Sequence, residues 1–325
     1  MSESFLRDQC GTRGNWRRRL PHSSRQQAHS WLVYSPAKIN LFLEVNGRRP
    51  DGFHELETVM VRTDLCDSLH FTARDDNVIQ LTLAGDGHSC PPGNQPAKSK
   101  SLDFPLDESN LIVRAARALQ KHTGTARGVS ISVHKRIPCQ AGLAGGSGNA
   151  ATTLRTLNRL WQLNLSTVVL HEIAAGLGSD VNFLLSGYRA ALCGGRGEQI
   201  RPITLRGQHH GLLVVPPSGN STADVFRALE PATDIHSSGD LIEALRSNCR
   251  SAAEPHCFNR LQTVAERLNP DVRTTLSWLT TSVGSGTMTG SGSACFSLLK
   301  SSAEARRLAK QFGCRGNGLS AAFRF

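Results

Sequence analysis

The chain lacks the features that mark several common protein classes. None of its 325 residues belongs to an apolar run near the length of a membrane span, and 39% hydrophobic and 19% charged residues are ordinary for a globular protein. No Gly-Lys pair occurs, which excludes the P-loop, and no G-x-G-x-x-G is present for a dinucleotide fold or a protein kinase loop. We therefore predict a globular chain without a membrane partner, long enough for two domains.

The cysteines lack the pattern of a secreted protein. There are nine, an odd number, and no pair has the spacing of zinc ligands. This usage is typical of a reducing compartment and not of a disulfide framework. It predicts a cytoplasmic protein of bacterial type.

The net charge of +11 is densest near the N-terminus. Residues 1–30 contain six arginines against Glu3 and Asp8, with few apolar residues, and are predicted to be a disordered basic leader. An Arg-rich leader is also compatible with a transit peptide and hence a plastid location, although the early acidic residues favour a simple extension. The remaining charge is spread thinly, without interleaved aromatics, which favours anionic small molecules over nucleic acid as partners.

The most informative stretch is a glycine-rich turn that runs directly into an amphipathic helix, residues 137–158. The glycines of the turn can take positive φ and expose backbone N–H groups, and the N-terminus of the helix adds its positive dipole end. Together they predict an anion site, with phosphate as the candidate ligand. The alternative is a flexible surface loop ahead of a core helix.

The remaining pattern predicts a mixture of strands and helices. Residues 31–34 and 39–45 are expected to form a strand pair, and other strands are expected at about 55–62, 67–73, 78–83, 129–133 and 188–193. Residues 84–107, rich in Gly and Pro, are predicted to be a surface insertion. Helices are expected after Asn110, at 171–177 with Asp180 just past the end, and later at about 239–247, 259–267 and 303–312.

Three separated segments resemble the motifs of the GHMP kinases, the small-molecule kinases of the galactokinase, homoserine kinase and mevalonate kinase group. They are SPAKIN from Ser35, the loop P-x-x-x-G-L-x-G-G-S from Pro138, and TGSGS from Thr289. The segments SPAKINLFLEV, RPDGFHEL, ESNLIVRAARAL and LGSDVNFLL further resemble the branch that acts on a cytidine diphosphate derivative of methylerythritol. The resemblance extends from about residue 34 to residue 300.

The resemblance implies an α+β GHMP kinase fold with two domains. An N-terminal ATP-binding domain, residues 31–205, would be like domain 2 of ribosomal protein S5, and a C-terminal domain, residues 206–325, would be ferredoxin-like. The substrate would lie in the cleft between them. The implied activity is ATP-dependent phosphorylation of the C2 hydroxyl of the cytidine substrate, by a monomer or a homodimer, with Mg²⁺.

The resemblance also assigns roles to residues. Asp180 matches the base that accepts the hydroxyl proton, and Lys38 matches the cation that orients it. The positions that match substrate contacts are Asn40, Phe53, His54 and Phe226. The positions that match ATP contacts are Asn110, Lys135, Pro138, Gly142, Leu143, Ala144, Gly145, Gly146, Ser147 and Gly148, and Ser147 is also a candidate for magnesium.

Other interpretations of these residues stay open. Phe53 and Phe226 are also compatible with core aromatics, Asn110 with a helix cap and Lys135 with a solvated charge. Ala144 stands where the family usually has glycine, Gly148 where it usually has a second serine, and Asn182 where it usually has proline. The alternatives for function are a GHMP kinase for another small alcohol, a catalytically weak nucleotide-binding regulator and, from the leader alone, a nucleic-acid binder.

Overall fold

The computed structural model describes residues 30–84, 104–231, 234–247, 253–313 and 318–325. The predictions of a disordered leader and of a surface insertion fall mostly on residues 1–29 and 85–103, outside these ranges. The described residues form two sheets with helices packed against them. None of the helices in the described ranges is long and apolar enough to cross a membrane.

The first sheet has seven strands and contains most of the first half of the chain. Its main strand order is β3-β4-β2-β1-β8, while β5 pairs with β2, and β6 pairs with β5. The bounds are β1 Ser30–Arg48, β2 His54–Arg74, β3 Ile79–Leu83, β4 Gly128–His134, β5 Ala190–Gly194, β6 Gln199–Pro202 and β8 Phe258–Asn259. The strand β8 comes from the second half of the chain and pairs parallel with β1 through Phe42 and Leu43.

The predicted strand pair at residues 31–45 is wrong, because those residues form one continuous strand, β1. Pro36 interrupts the alternating pattern, but the ladder with β2 shifts register between Pro36 and Lys38 and then continues. Such a bulge accommodates a proline that cannot donate a ladder hydrogen bond. The separate strands predicted at 55–62 and 67–73 are likewise one strand, β2, because it pairs with β1 along nearly its full length.

Four helices cover this sheet and enclose its core. They are α1 Leu111–Thr123, α2 Gly145–Leu160, α3 Thr167–Ala175 and α4 Ser179–Ser186. The buried stripe of α2 includes Ala150, Leu154 and Leu157, as its spacing predicted. The helix α4 was not predicted: Asp180 lies in its first turn and not beyond a helix end.

The second sheet has four antiparallel strands in the order β11-β7-β10-β9, all from the second half of the chain. The strands are β7 His210–Val215, β9 Thr287–Met288, β10 Cys295–Leu299 and β11 Leu319–Arg324. The helices of this half are α5 Thr222–Arg227, α6 Gly239–Arg246, α7 Gln262–Leu268, α8 Pro270–Val283 and α9 Ser302–Gly313. The helix predicted at 259–267 begins at Gln262, because residues 258 and 259 are engaged in β8.

Candidate active site

The glycine loop connects β4 to α2 and is held in place by residues distant in the sequence. Gly142 has φ +74°, and a Cβ built there would lie 2.4 Å from the carbonyl oxygen of Thr289. The amide of Lys38 donates to the carbonyl of Leu143 at 3.1 Å, and the amide of Ala294 donates to the carbonyl of Ala141 at 3.2 Å. Glycine at 142 is therefore required both by its backbone conformation and by the close approach of another segment.

Lys38 and Asp180 come together beside this loop. The Lys38 Nζ lies 3.7 Å from the Asp180 Oδ2, and the lysine side chain is 5% exposed while that of Asp180 is 30% exposed. The same ammonium donates to the Asn40 Oδ1 at 2.6 Å and to the Gly142 carbonyl at 2.9 Å. The lysine is thus fixed from three directions, whereas the carboxylate reaches into a cleft.

Asp180 takes its position from helix α4. Gly178 precedes the helix, and Asp180 is in the first turn, where the positive end of the helix dipole favours a carboxylate. Behind it, burial and the negative charge of Asp180 together raise the pKa of the Cys193 thiol to about 12, while Lys38 opposes the shift. Cys193 therefore stays protonated at neutral pH, and the nucleophilic chemistry of a thiolate is not available there.

The third motif, Thr289 to Ser293, closes the same site from the second half of the chain. The backbone amide of Asn40 donates to the Thr289 hydroxyl at 2.9 Å, and that hydroxyl donates to the side-chain Oδ1 of Asn40 at 3.3 Å. The Asn40 Nδ2 donates to the Thr58 hydroxyl at 2.8 Å. All three motifs found in the sequence therefore meet at one point, and the Asn40 side chain connects two of them.

A cleft of about 1880 Å³ extends from the glycine loop past Asp180 to a group of aromatic side chains. Phe53 is 53% exposed, and the guanidinium of Arg196 lies 4.8 Å from its ring centroid. The rings of His54 and Phe226 lie 4.9 Å apart. Burial and the nearby charge of Arg48 lower the pKa of His54, so its imidazole is neutral at pH 7.

Comparisons with known proteins agree with this geometry. The models for the GHMP kinases N terminal domain and the GHMP kinases C terminal match residues 110–195 and 230–318. A protein of Polaromonas naphthalenivorans (strain CJ2) named 4-diphosphocytidyl-2-C-methyl-D-erythritol kinase is 42% identical over 84% of this chain and 87% of its own. One of Acidovorax sp. (strain JS42) with the same name is 43% identical over 81% and 86%.

This chain belongs to that branch of the GHMP kinases. A crystal structure of 4-(cytidine 5'-diphospho)-2C-methyl-D-erythritol kinase matches it with a TM-score of 0.73 and 31% identity, over 90% of this chain and 98% of the other. Homoserine kinase from Cytophaga hutchinsonii shares the fold, with a TM-score of 0.64 at 16% identity. The predicted α+β GHMP kinase fold is confirmed, and so is the assignment to an ATP-dependent kinase.

The kinase brings nearly all of the predicted site residues to the walls of this one cleft. From the catalytic and substrate sets these are Lys38, Asn40, Phe53, His54, Asp180 and Phe226, and from the ATP set they are Asn110, Lys135, Pro138 and the loop residues from Gly142 to Ser147. Phe53 is not a core aromatic, because more than half of it is exposed. Asn110 lines the cleft and also caps α1, since its Oδ1 accepts from the Ile112 amide at 2.9 Å.

Gly148 lies on the opposite side of α2 from the cleft. A Cβ at this position would lie 2.6 Å from the Pro36 carbonyl oxygen and 2.9 Å from the Ser35 hydroxyl, so the residue packs against β1. Its amide donates to the Ala144 carbonyl at 2.9 Å and points along the helix. A serine here would therefore point its hydroxyl toward β1 and not toward a phosphate in the cleft, so Gly148 is not part of the predicted ATP site.

Ala144 immediately precedes α2 with φ +52° and ψ +35°, in the left-handed region. Glycine, which is usual in the family at this position, adopts a positive φ without strain, whereas alanine does not. A residue other than glycine pays about 1–2 kcal/mol there. This unfavourable backbone free energy arises in the loop that faces the cleft.

Asp67, buried beneath the glycine loop, and Arg196, on the cleft wall, are charged residues that were not predicted. Asp67 is fully buried on β2 and forms an ion pair with Lys135, whose side chain is 4% exposed, so that lysine is not a solvated charge. The sequence feature that could have identified Asp67 is an acidic residue inside a strand. Arg196, in the turn between β5 and β6, had no sequence signal beyond the adjacent glycines.

Proposed function

We propose that this kinase transfers the terminal phosphoryl group of ATP to the C2 hydroxyl of 4-diphosphocytidyl-2-C-methyl-D-erythritol, giving the 2-phosphate and ADP. The step would belong to the non-mevalonate route to isoprenoid precursors. The names of the relatives support the substrate, and the 3.7 Å contact between Lys38 and Asp180 supports the chemistry. The cytoplasmic location and the choice between monomer and homodimer stay predictions.

Asp180 serves as the general base. It accepts the proton of the C2 hydroxyl while that oxygen forms its bond to the γ-phosphorus and the bond from phosphorus to the β,γ-bridging oxygen breaks, with ADP leaving. Its exposed fraction lets it reach a substrate in the cleft. Lys38 is held by Asn40 and Gly142, so it is positioned in advance to orient the carboxylate and to offset negative charge on the reacting oxygens.

The glycine loop and the first turn of α2 hold the ATP phosphates through backbone N–H groups. Within the described ranges no group of three or more His, Cys, Asp or Glu side chains converges on a possible metal position. A Mg²⁺ ion that arrives with ATP would be held chiefly by phosphate oxygens and water, and the Ser147 hydroxyl in the first turn of α2 would be the protein group that contacts it. When bound with ATP, the ion supplies neutralisation of phosphate charge.

The aromatic end of the cleft binds the cytosine. Phe53 is more than half exposed in the cleft, and the Phe226 ring lies beside that of His54 on the cleft wall. The neutral imidazole of His54 has one donor and one acceptor nitrogen, which suits the polar edge of the base. The side-chain amide of Asn40 already forms hydrogen bonds with Lys38, Thr58 and Thr289. Its role is therefore to hold the lysine in position and not to bind the base.

An ADP-release assay with this cytidine substrate tests the proposal. We expect turnover that Asp180→Asn reduces by about 10²–10⁴-fold in kcat, with a comparable loss for Lys38→Met. Asp240→Asn and Lys121→Met, exposed positions on α6 and α1, are the matched controls and retain full activity. Equal rates in all variants would remove the proposed mechanism, and turnover only with another small alcohol would show a different substrate.

A protein that binds ATP but phosphorylates no alcohol would favour the regulatory alternative. The strained backbone at Ala144 is the observation that keeps this alternative open. In that case Ala144→Gly would leave turnover absent, whereas an impaired kinase would gain activity from the same change.

A further inference from the structure

Asp67 forms a buried carboxylate site directly beneath the glycine loop. Its side chain is fully buried on β2. One oxygen accepts from the amides of Arg136 and Ile137 at 2.8 and 2.9 Å. The other accepts from the Lys135 ammonium and from the Asn149 Nδ2, the latter at 3.0 Å. Four donors therefore converge on one carboxylate, which offsets the cost of burying it.

These donors come from both ends of the same loop. Lys135, Arg136 and Ile137 lie just before the glycine segment, and Asn149 lies in the second turn of the helix that follows it. Asp67 therefore connects the point where the chain enters the loop to the point where it leaves. The intervening backbone supplies the amides that face the cleft.

The middle of the loop, at Gly142 and Leu143, is held by different contacts. The ammonium of Lys38 donates to the Gly142 carbonyl, and the amide of Lys38 donates to the Leu143 carbonyl. Both contacts come from the catalytic lysine itself. The base of the loop depends on the Asp67 carboxylate, which does not line the cleft.

We propose that Asp67 is a positioning residue for the phosphoryl donor: by clamping both ends of the glycine loop, it sets the geometry of the phosphate-binding amides. This inference rests on the proposed function of the loop as the ATP site. It also changes the role of Lys135. Its ammonium is buried and neutralised by Asp67, so it acts as part of this clamp and not as a free cation for phosphate.

The test measures ATP affinity separately from acceptor affinity. In Asp67→Asn the buried Lys135 ammonium loses its counter-ion. The donors at the two ends of the loop then face a neutral amide, which accepts hydrogen bonds more weakly than a carboxylate. Because small displacements of a binding loop cost about tenfold or more, we expect the KM for ATP to rise at least about tenfold. The KM for the cytidine substrate should stay within about twofold. Calorimetric titration with a non-hydrolysable ATP analogue should show the same loss in Kd.

Three further variants make the result specific. Asn149→Ala keeps the carboxylate and removes one donor, so it tests the clamp even where Asp67→Asn folds poorly, and we expect a smaller rise in the KM for ATP. Asp67→Asn combined with Lys135→Met should regain thermal stability without regaining ATP affinity. Glu44→Gln is the matched control, because Glu44 is an equally buried carboxylate of the same sheet that accepts from an arginine and two backbone amides away from the loop.

The outcomes separate this inference from the proposed function. If Asp67→Asn and Asn149→Ala lower stability with unchanged KM and Kd for the nucleotide, the positioning role is refuted. If Glu44→Gln weakens ATP binding as much, the effect is general destabilisation and the inference also fails. If the wild-type protein phosphorylates no substrate, yet Asp67→Asn weakens binding of the ATP analogue, the proposed function fails while the positioning role of Asp67 stands.

Discussion

Glu44→Gln tests the connection between the two halves of the chain. Glu44 lies on β1 and its side chain is fully buried. Both its oxygens accept from the Arg260 guanidinium at 2.7 Å, and the amides of Val45 and His236 donate to it at 2.8 and 3.0 Å. Arg260 follows β8 and His236 precedes α6, so one carboxylate of the first sheet holds two segments of the second half.

The expected loss of stability depends on the charge that the substitution leaves without a counter-ion. Glutamine keeps the shape but replaces one acceptor oxygen by an amide group, and the Arg260 side chain, 16% exposed, loses its main counter-ion. Breaking a buried pair in this way costs about 3–5 kcal/mol. Asp234 lies 3.3 Å from Arg260 and compensates partly, which places the cost near 3 kcal/mol, or about 4–5 °C in Tm for a chain of 325 residues.

Urea and thermal unfolding of the wild type and the variant measure this cost. The control is Glu108→Gln, which breaks an exposed ion pair with Arg117 and should cost less than about 1 kcal/mol. The double change Glu44→Leu with Arg260→Met removes both charges and should recover much of the loss. A cost for Glu44→Gln no larger than that for Glu108→Gln would refute the reasoning.

The same substitution has a defined pH dependence. Burial alone would raise the pKa of Glu44, but the hydrogen bonds from Arg260 and from the His236 and Val45 amides hold it below its usual value. A lowered folded-state pKa means that the carboxylate stabilises the protein above its unfolded pKa of about 4.3 and loses this effect as the pH falls through the folded pKa. The stability difference between wild type and Glu44→Gln should therefore be full at pH 7 and shrink below pH 4.

Three further predictions concern the site. Gly148→Ser, the residue usual in the family, should lower the free energy of unfolding by about 1–3 kcal/mol in urea titrations, because its Cβ would meet the Pro36 carbonyl at 2.6 Å; an unchanged midpoint would contradict this. Because burial and Arg48 lower the pKa of His54, the KM for the cytidine substrate should be constant above pH 7 and rise only as His54 protonates at lower pH. His54→Gln should abolish that rise. Cys193, with its pKa of about 12, should resist iodoacetamide at pH 8 until the protein unfolds, as followed by mass spectrometry.

The parts of this kinase that were predicted correctly depend on short stretches of sequence. The glycine loop, the helix behind it and the Asn110 cap are each encoded within a few residues, and the structure has all three. The meeting of Lys38 with Asp180 was expected only from the resemblance to a family, since 142 residues separate them along the chain. Hydrophobic periodicity contains no information on such a pairing.

The parts that were missed depend on contacts between distant residues. Pro36 suggested a break, but pairing with β2 carries β1 through it. Apart from the adjacent Val45 amide, the donors to the carboxylates of Asp67 and Glu44 are 68 or more residues away, so the sequence shows only unexplained charges inside strands. The helix α4 is short, and its existence depends on packing against α2 and α3 more than on its own propensity.

The three departures from the family pattern are not equal once they are placed in the fold. Gly148 fits tightly against β1, and Asn182 is 5% exposed with its Oδ1 2.9 Å from the His171 Nδ1, so both are satisfied by neighbours away from the cleft. Ala144 alone keeps an uncompensated cost, because its positive φ lies in the loop that faces the nucleotide. Any deficit in ATP binding that these departures cause should therefore arise at residue 144, and restoring glycine there should correct it without changes at the other two.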